Sequence, residues 1–175
     1  MKLQQNILDK ICKVFLYVTI ILILNSLFIS CFINRDQIVV YKINNTKYVL
    51  NNGISIISAA PGSSSKIITE QTPYKIFFDI NKDGKKDLIS IITQETGGSG
   101  VFYYLAITLT SSVRSNALNA KYIGDRLKIK TLKYYKNQIS LEYFERSVNT
   151  PFTAKPDLYK SIKYIVINNE LIESN

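Results

Sequence analysis

Residues 38–175 read as an all-β or mostly β domain, an antiparallel sandwich or a partly closed barrel, preceded by an N-terminal signal or anchor helix. Three observations lead there. About ten short apolar runs follow one another at close spacing, separated by Asn, Gly and Pro turn residues. Outside the first 31 residues no segment sustains a helical period. The longest apolar stretch lies at the N-terminus, behind three lysines.

Residues 1–31 carry the marks of an export signal or membrane anchor. Lys2, Lys10 and Lys13 make a positive n-region, and Val14 to Leu24 is an eleven-residue apolar run. Eleven residues are too few to cross a bilayer. Extension to Ile33 gives twenty positions, with Asn25, Ser26 and Ser30 inside them. Cys31 follows the small Ser30 at the end of the apolar region, which resembles the lipobox of bacterial lipoproteins, where the cysteine is lipidated and becomes the new N-terminus. Phe28 stands where that motif usually has Leu. Lipoprotein, uncleaved anchor and plain secreted protein stay open in that order, and all three put the later residues outside the cytoplasm, in the cell envelope. Residues 32–37 form a short tether.

Charge and cysteine content agree with export. The only other cysteine, Cys12, lies in the signal, so the domain has no disulfide and no thiolate metal site. Residues 31–175 hold 19 Lys and Arg against 12 Asp and Glu, a net charge of +7. The expected partners are the membrane, through the N-terminus, and an anionic envelope polymer or another envelope protein. Nucleic acid is not expected: between Lys121 and Lys136 the cations alternate with apolar residues, the pattern of a solvated strand face.

The strands follow in order. Ile38–Ile43 and Thr46–Leu50 flank the turn Asn44-Asn45, and Asn51-Asn52-Gly53 leads into Ile54–Ile57. Ala59–Ser65 has the Pro, Gly and Ser density of a surface loop. Ile67–Thr69 and Tyr74–Ile80 precede an Asp-rich turn. Leu88–Thr93 is almost continuously apolar, which reads as a strand buried on at least one face, with a central position left open. A glycine loop, Thr96–Gly100, opens the aromatic run Val101–Thr110. Ser111–Ala120 reads as a loop or one helical turn. Leu127–Leu132, Ile139–Phe144, Ile162–Ile167 and Glu170–Ile172 complete the set, with turns at Asn137-Gln138 and Asn168-Asn169.

Two loops carry candidate sites. Asp79, Asn81, Asp83, Lys85 and Asp87 fall at every second position, with Gly84 after the third, which is the opening spacing of a calcium loop. Ser90 occupies the place of the closing bidentate Glu, and Lys82, Lys85 and Lys86 cancel the local negative charge. The competing reading, a turn whose Asp and Asn side chains bond nearby amides, is favoured. Calcium is the one cofactor to be weighed. In the second loop, Gly97, Gly98 and Gly100 are spaced to cradle an anion with their amides, but no helix follows, so a flexible hairpin connection is expected. Gly124-Asp125-Arg126 offers either a charge pair to a ligand or a tight turn with an internal ion pair.

The order DINKDGKKDLISII, GGSGVFYYLAITL, YIGDRLKIKTLKYYKNQISLEYFER and TPFTAKP resembles a poorly characterised group of small bacterial envelope proteins, often lipoproteins. The resemblance covers roughly residues 70–168. It implies an envelope location and a β-rich domain, with no established enzymatic chemistry.

Catalysis is not expected. There is no histidine, which removes the commonest general base and most catalytic zinc sites. Ser63-Ser64-Ser65-Lys66 resembles the penicillin-binding S-x-x-K without its companion lysine motif, and Ser99 lacks the second glycine of a hydrolase elbow. Glu142 and Glu145, three apart on a strand, fall on opposite faces. The expected protein is therefore a membrane-tethered envelope module with a binding or structural role. A calcium-stabilised module is the alternative, and a carboxylate-based hydrolase a distant third.

Overall fold

The computed structural model describes residues 16–19, 38–110, 116–151 and 153–174. The chain divides into two compact units, Met1–Asp36 and Gln37–Asn175. In the first, a helical turn at residues 16–19 is described; the rest of the expected anchor, Cys31 and the tether lie outside the described residues. Among the described residues no helix is long and apolar enough to cross a membrane.

The second unit is mostly β and antiparallel. Strands β1 (Val39–Ile43) and β2 (Thr46–Leu50) form a hairpin on Asn44 and Asn45, both left-handed at φ 48° and 66°, as a two-residue primed turn requires. A six-stranded sheet runs β3 (Ile54–Ser58), β4 (Lys66–Phe78), β5 (Asp87–Glu95), β6 (Phe102–Leu109) and β7 (Asn116–Ala117), with β8 (Lys121–Asp125) also paired to β6. A four-stranded meander of β9 (Lys128–Tyr135), β10 (Gln138–Glu145), β11 (Leu158–Ile167) and β12 (Glu170–Ser174) makes the third sheet. Among the described residues no closed barrel forms; the arrangement is sandwich-like.

The apolar run of β5 explains the layering. Alternate side chains point to opposite faces. Ile89 and Ile91 face one core, shared with Leu105 and Ile107 of β6 and with Ile139, Leu141 and Tyr164 of the meander. Leu88 and Ile92 face a second core, shared with Tyr41, Ile43 and Leu50 of the first hairpin. Burying each such side chain contributes about 1.5–3 kcal/mol. Between Leu88 and Ile92 both faces are covered and no charged residue stands there, hence LISII; the buried Asp87 at the start of the strand is satisfied by two backbone amides.

Three local expectations need correction. The separate strands expected at Ile67–Thr69 and Tyr74–Ile80 are one long β4, whose register against β5 breaks between Gln71 and Lys75, around Pro73. Proline has no N–H to give the ladder, so the chain bulges there instead of ending. The segment Lys121–Asp125, not expected as a strand, pairs with β6 as β8. The turn between β9 and β10 is Lys136-Asn137, at φ 49° and 60°, one residue earlier than expected.

Candidate functional site

The β5–β6 hairpin carries one candidate loop at each end. At the start of β5, the Asp-rich loop closes on its own backbone. Asp79 accepts from the amides of Asp83 at 3.1 Å and Gly84 at 2.9 Å; Asn81 accepts from Asp83 at 3.1 Å, and Asp83 from Lys85 at 2.9 Å. Asn81 Nδ2 also donates to Asp83 at 3.2 Å. These are the amide bonds the turn reading anticipates. Gly84, at φ +84°, takes the left-handed step that closes the loop.

Asp87 belongs to a different structure. It is fully buried, and its two oxygens accept from the amides of Ile80 and Thr110, each at 2.8 Å. It ties the loop to the far end of β6. Among the described residues, no three His, Cys, Asp or Glu side chains are grouped to hold a metal ion.

At the other end, the glycine loop and the Gly124-Asp125-Arg126 segment come together. The pairing of β8 with β6 sets Asp125 opposite Phe102. From there Asp125 Oδ1 accepts from the Val101 amide at 2.8 Å. The Arg126 amide donates to the Val101 carbonyl at 2.8 Å, and its guanidinium to the Ser99 carbonyl. Arg126 sits at φ 51°, a conformation costing about 1 kcal/mol for a residue with a Cβ. Its bonds to the loop offset that strain. Gly98 has open space around it, whereas a Cβ at Gly100 would lie 2.7 Å from the Phe102 ring. The left-handed glycine of the loop is Gly97, at φ +86°.

Asp125 is also the centre of a charge cluster. Arg126 reaches its Oδ2 at 2.6 Å and Arg146 the same atom at 3.8 Å. All three side chains are at most about a quarter exposed, so their attraction is screened less than at an open surface. Burial, with Tyr74 and Asp125 nearby, pushes the Tyr103 hydroxyl up.

Beside this cluster lies a cleft of about 340 Å³, lined by Gly124, Asp125, Leu127, Glu145, Arg146, Ser147, Asn149 and Thr150. Its rim is held by Asp157, which accepts from the Ser147 hydroxyl at 3.0 Å and amide at 3.1 Å. Those bonds, the hydroxyl's first, hold the Asp157 carboxyl below its ordinary value. Glu145 is paired with Lys160 at 3.3 Å. Both cleft carboxylates therefore have cationic partners, Asp125 in Arg126 and Arg146 and Glu145 in Lys160, and the hydroxyls of Ser147 and Thr150 donate to Asp157 and the Ser147 carbonyl. Sequence reading did not pick out Arg146, Ser147 or Asp157. The one signal was Arg146's place two residues past the expected strand Ile139–Phe144, at the end of the sheet.

No protein-family model matches the chain, and neither curated proteins nor solved structures provide a match.

Proposed function

We propose that this protein is a membrane-tethered module of the bacterial cell envelope that binds rather than catalyses, and that its ligand is an acidic sugar unit of an envelope polymer. The carrying observation is the cleft beside Asp125, whose lining brings Arg146 together with Ser147, Asn149, Thr150 and the apolar Leu127. Guanidinium forks match carboxylates, hydroxyl and amide groups match sugar hydroxyls, and an apolar side chain suits a sugar's C–H face. A volume of about 340 Å³ falls within the range of small-ligand sites. The signal-like pattern of the N-terminal residues and the resemblance to small envelope lipoproteins support the location, and the net charge supports an anionic ligand.

The test is calorimetric titration of the full chain, in zwitterionic nanodiscs, with glucuronic acid oligomers, using glucose oligomers as the neutral control. Binding of the acidic oligomer alone, lost in Arg146→Gln, is the expected result. Equal heats for both, or none for either, would remove the reading.

The calcium-stabilised module remains the second reading on the spacing of Asp79, Asn81 and Asp83 alone, because their side-chain oxygens accept the loop's own amides. Melting of the full chain with calcium and with chelator tests it. A calcium-dependent rise in Tm abolished by Asp83→Ala supports the reading; no shift at millimolar calcium ends it.

A further inference from the structure

The four-stranded meander buries one face in the core and presents the other outward. Register assigns the sides. Ile139, Leu141, Tyr143 and Tyr164 point inward, so their neighbours Ser140, Glu142, Phe144 and Lys163 point outward. Cross-strand pairing then sets Lys133 and Lys163 on either side of Ser140, and Lys128 and Tyr159 on either side of Phe144. Lys130, beside the bulge, also reaches the outer face, where it pairs with Glu142 at 3.3 Å. With Lys136 in the β9–β10 turn, this side holds five lysines against Glu142 and Glu170.

Apolar groups are interleaved with the lysines. Tyr135 is 71% exposed, Tyr159 45%, Ile167 44% and Ile172 40%. Ile172 is paired directly with Ile165. Neither sugar nor base stacking accounts for this mixture. The rings that would serve as platforms carry ammonium groups: Lys128 over Phe144 at 5.7 Å, Lys130 over Tyr159 at 5.0 Å and Lys136 over Tyr135 at 5.3 Å. Exposed isoleucines give a hydrophilic polymer nothing to bind. At a bilayer surface, by contrast, lysines pair with anionic headgroups, tyrosines settle at headgroup level, and isoleucines meet the upper acyl carbons.

We propose that the outer face of the β9–β12 sheet docks onto an anionic bilayer surface, with Lys128, Lys133 and Lys163 as the electrostatic contacts and Ile172 and Tyr135 as the apolar ones. The site is distinct from the Arg146 cleft and needs no ligand there.

Lysine acylation footprinting of the full chain tests it. The chain is reconstituted in phosphatidylcholine vesicles and in vesicles containing about a third phosphatidylglycerol, a content that sustains an appreciable negative surface potential. The N-terminal segment is the same in both, so only docking differs. Lys128, Lys133 and Lys163 should lose reactivity in the anionic vesicles, while Lys47 and Lys86, on other parts of the unit, should not. Each lysine removed should shift the docked population by about fivefold, so Lys133→Glu with Lys163→Glu should restore the reactivity of Lys128. Ile172→Ser, which keeps every charge, should weaken the protection. Equal reactivity in the two vesicles overturns the proposal, as does protection by soluble poly(glycerol phosphate) and not by anionic vesicles, which would make the partner a polymer. Failure of the chain to float with zwitterionic vesicles would instead count against the tether alone.

Discussion

The two ends of the β5–β6 hairpin solve the same problem with opposite means. At the Asp-rich end, the acceptors for the turn's amides lie two to five residues away in the chain, and the loop satisfies itself. At the glycine end the partners lie 24 and 27 residues away, supplied by Asp125 and Arg126. A self-satisfied loop announces itself as a motif and has few polar groups left over. A loop clamped from a distance depends on residues its own motif does not contain, and one of them, Asp125, also lines the cleft. The Asp-rich loop is thus the more self-contained of the two, and the glycine loop is the one tied to the cleft through its clamp.

Asp87→Ala bears most heavily on that contrast. It strips two buried amides of a charged acceptor, and each such bond is worth about 1.5–3 kcal/mol, so a loss of about 3 kcal/mol or more is expected in urea unfolding, as a lower midpoint with unchanged slope. Asp125→Ala, at the partly exposed clamp, should cost about 1 kcal/mol yet abolish binding of acidic oligomers. Comparable losses of stability from both would break the comparison.

Tyr164, in the core that the meander shares with β5 and β6, tests the framework behind both ends. Burial, followed by Glu173 and Tyr143, pushes its hydroxyl up to about 12 from 10. The folded state therefore holds the proton longer than the unfolded state. The associated stability is complete below pH 10 and is lost as pH rises toward 12, by about 2–3 kcal/mol in all. Tyr164→Phe should flatten that part of the alkaline unfolding curve.

The glycines sharpen the contrast at smaller scale. Gly84→Ala meets only the cost of a left-handed alanine, about 1 kcal/mol, because nothing lies within 4 Å of its added Cβ. Gly97→Ala adds a 3.3 Å approach to the Ser65 Cβ and should be the worse of the two in thermal melting. The smallest effect belongs to the cleft rim. Because Asp157 titrates below its usual value in the fold, its contribution is present above pH 3.8 and is lost as pH falls through the lowered value. Exchange of the Ser147 amide should accelerate there ahead of the β5 amides.

Much of the local architecture was legible. The Asn-Asn turns stood out because asparagine tolerates the left-handed backbone they need, and the burial of β5 because its run from Leu88 to Ile92 is almost continuously apolar. Alternation of lysine with apolar residues marked the two sides of β9. The β8 strand was missed because YIGD is neither alternating nor continuously apolar; it is a strand only because β6 offers it a ladder. Arg146 and Asp157 were missed for a related reason: single polar residues near strand ends look alike until the fold shows which ones meet.

From the sequence alone came the β-rich class, the strand alternation, the primed turns and the self-bonded Asp-rich loop. Each depends on interactions within a few residues, which composition and period encode directly. Only the tertiary structure decided that Asp87 joins the loop to Thr110, that Asp125 and Arg126 clamp the glycine loop, and that Arg146 shares their carboxylate. Those contacts join segments far apart in the chain, and their geometry exists only after the sheets have paired in register and closed over their cores.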